Sequence, residues 1–118
     1  MMGLIDYIRK RKVNQVLDPT KSRPVPEITN IVEGKRYSTL DAKCIAQGLW
    51  AMFFYVWLMQ TNKNNFFIVQ IPSLGSIDSS FASITPCDQE TAIKFFSNLT
   101  LREVKFEQAF PNIEVSDA

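Results

Sequence analysis

Histidine is absent from this 118-residue chain, and cysteine occurs only twice, as Cys44 and Cys87. Without histidine, the chain lacks Ser-His-Asp and Cys-His catalysis, histidine-ligated metals and the side chain that most often acts as a general base. The two cysteines stand too far apart in sequence for a zinc-ligand spacing, and no glycine-rich phosphate loop opens a predicted helix. We therefore expect neither an enzyme, nor a metal site, nor a bound cofactor.

A long hydrophobic run is also missing. The longest apolar stretch covers residues 49–59, whereas a membrane-spanning helix needs about 20 apolar residues. A membrane partner is therefore not expected. The start of the sequence does not resemble a secretory signal, so we expect a cytoplasmic protein with free thiols at Cys44 and Cys87.

Two β-forming runs dominate what is present. Residues 51–60 and 66–71 are rich in aromatic and β-branched side chains, and the polar segment 61–65 separates them, which predicts an aromatic hairpin. The first run is apolar on both faces, so both faces should be covered. Helices could cover one face, and a partner molecule could cover the other.

Helical patterns flank this hairpin. Ser38 or Thr39 can cap a helix that Gly48 ends, and Asp88 can cap another over residues 89–99. One more helical turn is expected before Pro111. Glu33-Gly34 is a turn signal between two short strands.

These elements predict an α+β fold. It consists of a small antiparallel sheet centred on the aromatic hairpin, two or three short packing helices and an N-terminal amphipathic helix. We divide the chain into a basic amphipathic helix at 1–18, a proline-rich linker at 19–27, an α+β domain at 28–111 and an acidic tail at 112–118. The hydrophobic content of 46% is typical of one globular domain of this length.

The aromatic hairpin is the first candidate for a binding surface, because large aromatic side chains are enriched at the centres of protein interfaces. Basic residues do not alternate with these aromatics, which makes a base-stacking platform a weaker interpretation than a core or a protein contact. The candidate protein-binding residues are Phe53, Tyr55, Trp57, Lys63 and Phe66.

The basic cluster is the second candidate. It comprises Arg9, Lys10, Arg11 and Lys12. Adjacent cations on a helix can contact the phosphates of a nucleic acid or dock on a membrane surface. They can equally be a solvated helix end that complements the helix dipole. The net charge of only +1 favours the last interpretation.

Four segments in order resemble a group of small, mostly uncharacterised bacterial, phage and plasmid proteins. Residues 35–42, KRYSTLDA, are similar to their RYDT-x-x-A motif, and residues 58–68, LMQTNKNNFFI, to LYRT-x-x-G-x-(Y/F)-FL. Residues 84–96, ITPCDQETAIKFF, follow the pattern I-x-PLS-x-x-EA-x-x-WL, and residues 110–114, FPNIE, follow FG-x-(I/V)-E. Asn64 replaces the turn glycine and Gln60 replaces a basic residue. The resemblance implies an α+β architecture and a mobile-element context, and it transfers no catalytic residue.

The sequence thus favours a protein-interaction module of a phage or another mobile element, acting as an inhibitor or regulator. Its partner would be a host protein or a second copy of the chain, so a homodimer is one form of this hypothesis. The alternative is a nucleic-acid-binding accessory protein that uses Arg9 to Lys12. Salt-dependent binding of DNA or RNA would separate the two.

Overall fold

Seven strands and two helices are present in the residues that the structure, a computed structural model, describes: 22–51, 53–72 and 81–117. The strands are β1 (Thr29–Val32), β2 (Lys35–Ser38), β3 (Ala42–Trp50), β4 (Phe54–Thr61), β5 (Phe66–Pro72), β6 (Ser83–Cys87) and β7 (Leu101–Arg102). The helices are α1 (Gln89–Asn98) and α2 (Phe106–Ala109), and a 3-10 turn covers Thr39–Asp41. The predicted N-terminal helix and the basic cluster Arg9–Lys12 lie outside the described residues.

Five of the strands form one antiparallel sheet in the order β6-β5-β4-β3-β7, while β1 and β2 pair separately. The α+β class with an antiparallel sheet and short helices is therefore confirmed. β4 lies in the middle of the sheet, and β5 is its antiparallel neighbour from Phe54↔Pro72 to Gln60↔Phe66. In this central position β4 is covered on both faces, which explains why it is the most apolar segment of the chain.

One face of the sheet packs against the helices. Val56 and Leu58 of β4 point to this side, where they join Phe95 and Phe96 of α1 and Phe110, which follows α2. The N-terminus of α1 is capped as the sequence predicts, because Asp88 Oδ1 accepts a hydrogen bond of 2.8 Å from the Thr91 N–H. We call this side the helix face.

The opposite face is covered by the chain itself. Tyr55, Trp57 and Met59 alternate with the residues of the helix face and pack with Phe67 under the β1–β2 hairpin and the segment 22–28. Segment 22–28 has no regular secondary structure, as expected of a proline-rich stretch, yet Pro26 is buried. A partner molecule is therefore not needed to cover this face, which we call the hairpin face.

The helix predicted between residue 39 and Gly48 is wrong. Ser38 does act as a cap, since its hydroxyl accepts from the Leu40 N–H at 3.3 Å, but only a 3-10 turn follows. Residues 42–50 form β3, which pairs with β4 from Ala42↔Thr61 to Trp50↔Phe54. The strand prevails because β4 would otherwise leave a row of main-chain donors and acceptors unpaired inside the protein.

β3 is irregular at two positions. The register shifts between Cys44 and Ala46, so that Ile45 is an extra residue and packs with Ala46 on the helix face. Gly48, predicted to end a helix, instead lies within the strand. Glycine is needed at this position because the backbone of Thr100 passes close by. A Cβ atom at Gly48 would lie 2.8 Å from the Thr100 nitrogen.

Candidate protein-binding surfaces

The structure separates the five residues predicted to bind protein. Tyr55, Trp57 and Phe66 are buried in the core, where they stabilise the fold and are not presented to a partner. Phe53 and Lys63 are exposed, but they precede and follow β4. An eight-residue strand places its ends roughly 25 Å apart. The two exposed residues therefore belong to different surfaces at opposite ends of the sheet.

A polar cluster centred on Gln47 fixes segment 22–28 to the hairpin face. The Oε1 atom of buried Gln47 accepts hydrogen bonds of 2.6 Å from both the Arg23 main-chain N–H and the Tyr55 hydroxyl. Its Nε2 atom donates to Glu103 Oε1 at 3.0 Å. Burial raises the pKa of the Tyr55 hydroxyl to about 12, although the nearby Arg23 guanidinium opposes this shift. The cluster is a structural network that holds segment 22–28 against the hairpin face.

Three phenylalanines are exposed at one end of the sheet, which we call the aromatic end. Phe53 is 70% exposed, Phe54 is 37% exposed and Phe81 is 63% exposed. The pairings Phe54↔Pro72 and Gln70↔Ser83 bring the start of β4, the end of β5 and the start of β6 to the same end. Only β5 separates β4 from β6, so Phe54 and the start of β6 are about 10 Å apart.

The turn between β4 and β5 forms the other end of the sheet. The Thr61 hydroxyl orders it by accepting hydrogen bonds from the N–H groups of Lys63, at 3.3 Å, and Asn65, at 3.1 Å. Asn64 takes the positive φ of 61° that its amide side chain tolerates. Gln60 connects this turn to α2, because its Nε2 donates to the Ala109 carbonyl at 2.8 Å. The side chains of the turn thus project from a fixed backbone.

A basic groove lies between this turn and the β1–β2 hairpin. Its volume is about 500 Å³. Lys35 and Arg36 come from β2 and Lys63 from the turn, and Asp41 is the one acidic residue that the described part of the chain contributes to its lining. The hydroxyl and amide groups of Thr61, Asn62 and Asn65 complete a polar wall. At neutral pH these lining residues supply three cations against one anion, whereas the whole chain carries +1.

A second groove of about 500 Å³ continues on the other side of Asp41, Thr61 and Asn62, which line both grooves. We call it the leucine groove, because Leu40 is 70% exposed there. Lys43 adds a further cation, and Gln60 and Gln108 add amides. The two grooves adjoin at these three shared residues beside the β4–β5 turn, and we call the pair the channel.

The two thiols are free and lie far from one another. Cys44 is on β3 and Cys87 on β6, and two intervening strands separate them by about 14 Å. Burial, reinforced by the carboxylate of Glu103, raises the pKa of the Cys44 thiol to about 12. Burial and Asp88 raise the pKa of the Cys87 thiol to about 11. A thiol that stays protonated at neutral pH is a poor nucleophile, so the position of Cys87 before α1 does not activate it.

Neither a metal cluster nor a membrane-spanning helix is found in residues 22–51, 53–72 and 81–117. No three side chains of histidine, cysteine, aspartate or glutamate in these ranges are grouped to hold a metal ion. Neither α1 nor α2 has the length and hydropathy to cross a membrane.

Comparisons with known proteins find no match to a family model, a curated protein sequence or a solved structure.

Sequence patterns did not indicate most residues of these surfaces. Lys35 and Arg36 were expected only as part of a strand, and Phe81 lay outside the predicted elements. Linear position does not reveal the basic groove, because the β2 cations are 27 or more residues from Lys63 and only the fold brings them together. The local signal that did point to this region was the polar turn that follows an apolar strand.

Proposed function

We propose that this chain is a non-enzymatic binding module that recognises another protein through the aromatic end. The observation that carries the proposal is the exposure of Phe53, Phe54 and Phe81 at the same end of one sheet. Exposed apolar side chains that occur singly are ordinary, whereas a contiguous group of them marks an interaction surface. The raised pKa values of both thiols and the lack of histidine add support, because neither thiol is a ready nucleophile and the most common general base is missing.

The aromatic end offers enough apolar surface to anchor a complex. A fully buried aromatic side chain removes about 150–250 Å² from water. Covering the exposed parts of the three phenylalanines would then bury roughly 300 Å², worth on the order of 8 kcal/mol before the entropic costs of association are subtracted. Such a cluster of aromatic anchors is the composition expected at an interface centre.

The biological role that we propose is regulation or inhibition of a protein partner by a mobile-element accessory protein. The similarity of residues 35–114 to small phage and plasmid proteins supports this context. The partner is a host protein in this proposal, and a second copy of the chain is the other outcome that the experiment can detect. Phe54 is held on paired strands, because it begins β4 opposite Pro72 of β5.

The double variant Phe53→Ser/Phe81→Ser tests the proposal. The matched control is Ile31→Ser on β1, since Ile31 is 69% exposed and lies on another element. Quantitative affinity capture from lysate and sedimentation velocity are performed with the wild type, the double variant and the control. We expect the double variant alone to lose the captured protein, or to lose a dimer if the partner is a second copy. Equal capture and equal sedimentation for all three proteins would contradict the proposal.

A further inference from the structure

We propose that the basic groove and the leucine groove together bind an extended acidic peptide segment that carries one large apolar side chain. This site is separate from the aromatic end, about the length of β4 away. The ligand would be a segment of a partner protein in which several aspartate or glutamate residues precede a leucine or phenylalanine.

Charge complementarity is the first argument. Lys35, Arg36 and Lys63 approach one groove from two different elements, and Lys43 lies in the next. Among the described residues of both linings they face a single acid, Asp41, in a chain whose total charge is +1. A local excess of positive charge in a concave site raises the concentration of anionic ligands and their rate of association.

Pre-organisation is the second argument. The Thr61 hydroxyl holds the N–H groups of Lys63 and Asn65, and the Gln60 amide donates to Asn64 Oδ1 at 3.2 Å. The opposite wall is fixed as well, because Thr29 Oγ1 donates to Ser38 Oγ at 2.8 Å across β1 and β2. A ligand would therefore meet ordered walls, and little binding free energy would be lost in ordering them.

The residues that divide the two grooves favour a peptide over a nucleic acid. A nucleic-acid backbone carries a negative charge at every nucleotide, so a strand that follows both grooves would place a phosphate beside Asp41. A peptide can place a neutral residue there. The aromatic residue of the lining, Tyr37, is buried with its ring 5.5 Å from that of Phe67, so it offers no base a stacking surface.

Leu40 completes the recognition pattern. Its side chain is 70% exposed beside Lys43, beyond the Asp41 divider. An apolar side chain of the ligand can cover Leu40 while acidic side chains occupy the basic groove. The adjoining basic and apolar contacts thus favour a peptide in which acidic residues stand next to an apolar one.

The probe is a fluorescein-labelled peptide in which four glutamates, a glycine and two leucines are consecutive. Its controls are the same peptide with glutamine for glutamate, a peptide without the leucines, and an oligo-dT strand of similar charge. Fluorescence anisotropy at about 50 and about 150 mM NaCl measures the affinity of each for the full chain. We expect saturable binding of the acidic apolar peptide, weaker binding at the higher salt concentration and little binding of the glutamine peptide.

Variants assign the site. We expect each single variant to lower the affinity for the acidic peptide about two- to five-fold: Lys35→Gln, Arg36→Gln and Lys63→Gln. The triple variant should lower it at least about ten-fold. Lys94→Gln, an exposed cation on α1, is the control and should change nothing. Leu40→Ser should lower the affinity for the leucine-containing peptide and leave the affinity for the peptide without leucine unchanged. Asp41→Asn should strengthen binding, a gain that loss of folding cannot imitate.

Three results would overturn the inference. The first is the absence of saturable binding to the wild-type chain. The second is an affinity for the glutamine peptide that equals the affinity for the acidic peptide. The third is tighter binding of the oligo-dT strand that the same lysine and arginine variants abolish, since that would identify the channel as a nucleic-acid site. None of these results depends on Phe53 or Phe81, so failure here is distinct from failure of the proposed function.

Discussion

The indole N–H of Trp57 donates a hydrogen bond to the main-chain carbonyl of Arg23 over 3.1 Å. Trp57 is in the middle of the central strand, and Arg23 is in the segment that covers the hairpin face. The Arg23 guanidinium also lies 4.5 Å from the centre of the Tyr55 ring. The aromatic residues of β4 therefore hold part of their own chain, which explains how a strand with two apolar faces can be buried on both of them from Tyr55 to Gln60.

Substitution of Trp57 should destabilise the fold rather than disturb a binding surface. Trp57→Ala should lower the free energy of unfolding by about 3–5 kcal/mol through the cavity that it leaves. Trp57→Phe should cost about 1–2 kcal/mol, since it removes the bond to Arg23 and some volume. Urea titration followed by circular dichroism gives both values. Wild-type stability of Trp57→Ala would show that segment 22–28 does not cover this residue.

The Gln47 cluster should behave as a coupled unit. Gln47→Met removes the acceptor of the Tyr55 hydroxyl and of the Arg23 N–H, and we expect a loss of about 2–3 kcal/mol. Tyr55→Phe alone should cost about 1 kcal/mol. In the double variant the two losses should not add, with a coupling free energy of at least about 0.5 kcal/mol from urea titration. Additive losses would contradict the hydrogen bond between these side chains.

Much of the fold follows from local sequence signals. The Glu33-Gly34 turn adopts positive φ angles of 52° and 76° and joins β1 to β2. The Asp88 cap begins α1, and a short helix precedes Pro111. In each case neighbouring residues suffice, because turn and cap chemistry acts over about three or four positions.

β3 could not be predicted in this way. Leu40, Cys44 and Ile45 fit a helical stripe, and the feature that decides against it lies elsewhere: β4 needs a partner along its second edge. The bulge at Ile45 further obscured the alternation that marks a strand. The candidate sites could not be predicted from the sequence for the same reason. Pairing between distant strands, rather than local pattern, brings Phe81 to the aromatic end and Lys63 to the β2 cations.

Gly48 should be the least replaceable described glycine. Gly48→Ala places a methyl group 2.8 Å from the Thr100 nitrogen, and we expect a loss of about 1–3 kcal/mol because backbone must move. At Gly34 there is open space, and only the positive φ of 76° opposes a side chain. Gly34→Asn is therefore the matched control and should be nearly neutral. Thermal unfolding compares the two, and equal melting temperatures would disprove the close approach of Thr100.

Stability should fall in alkaline solution. The folded-state pKa values of about 12 for Cys44 and about 11 for Cys87 lie above the ordinary value of 9.0. The unfolded chain releases these protons first. The contribution of the two thiols to stability is therefore complete below about pH 9 and is lost as the pH rises through about 11 to 12. Tyr55 titrates in the same range, so the measurement uses a Tyr55→Phe background.

In that background, Cys44→Ala/Cys87→Ala should flatten the dependence of the free energy of unfolding on pH between about 9 and 11. Urea titrations at several pH values give the slope for each protein. An identical slope with and without the two thiols would show that neither is shielded from water in the folded chain.

Pro86 has a consequence for the behaviour of the protein at high concentration. It lies in β6, one of the two edge strands of the five-stranded sheet, opposite Phe67 of β5. An edge strand can recruit a strand of another molecule and so begin an aggregate, but proline has no N–H to offer it. Pro86→Thr would restore that donor in a strand rich in β-forming residues. We therefore expect Pro86→Thr to aggregate faster than the wild type, and light scattering over time would measure the difference.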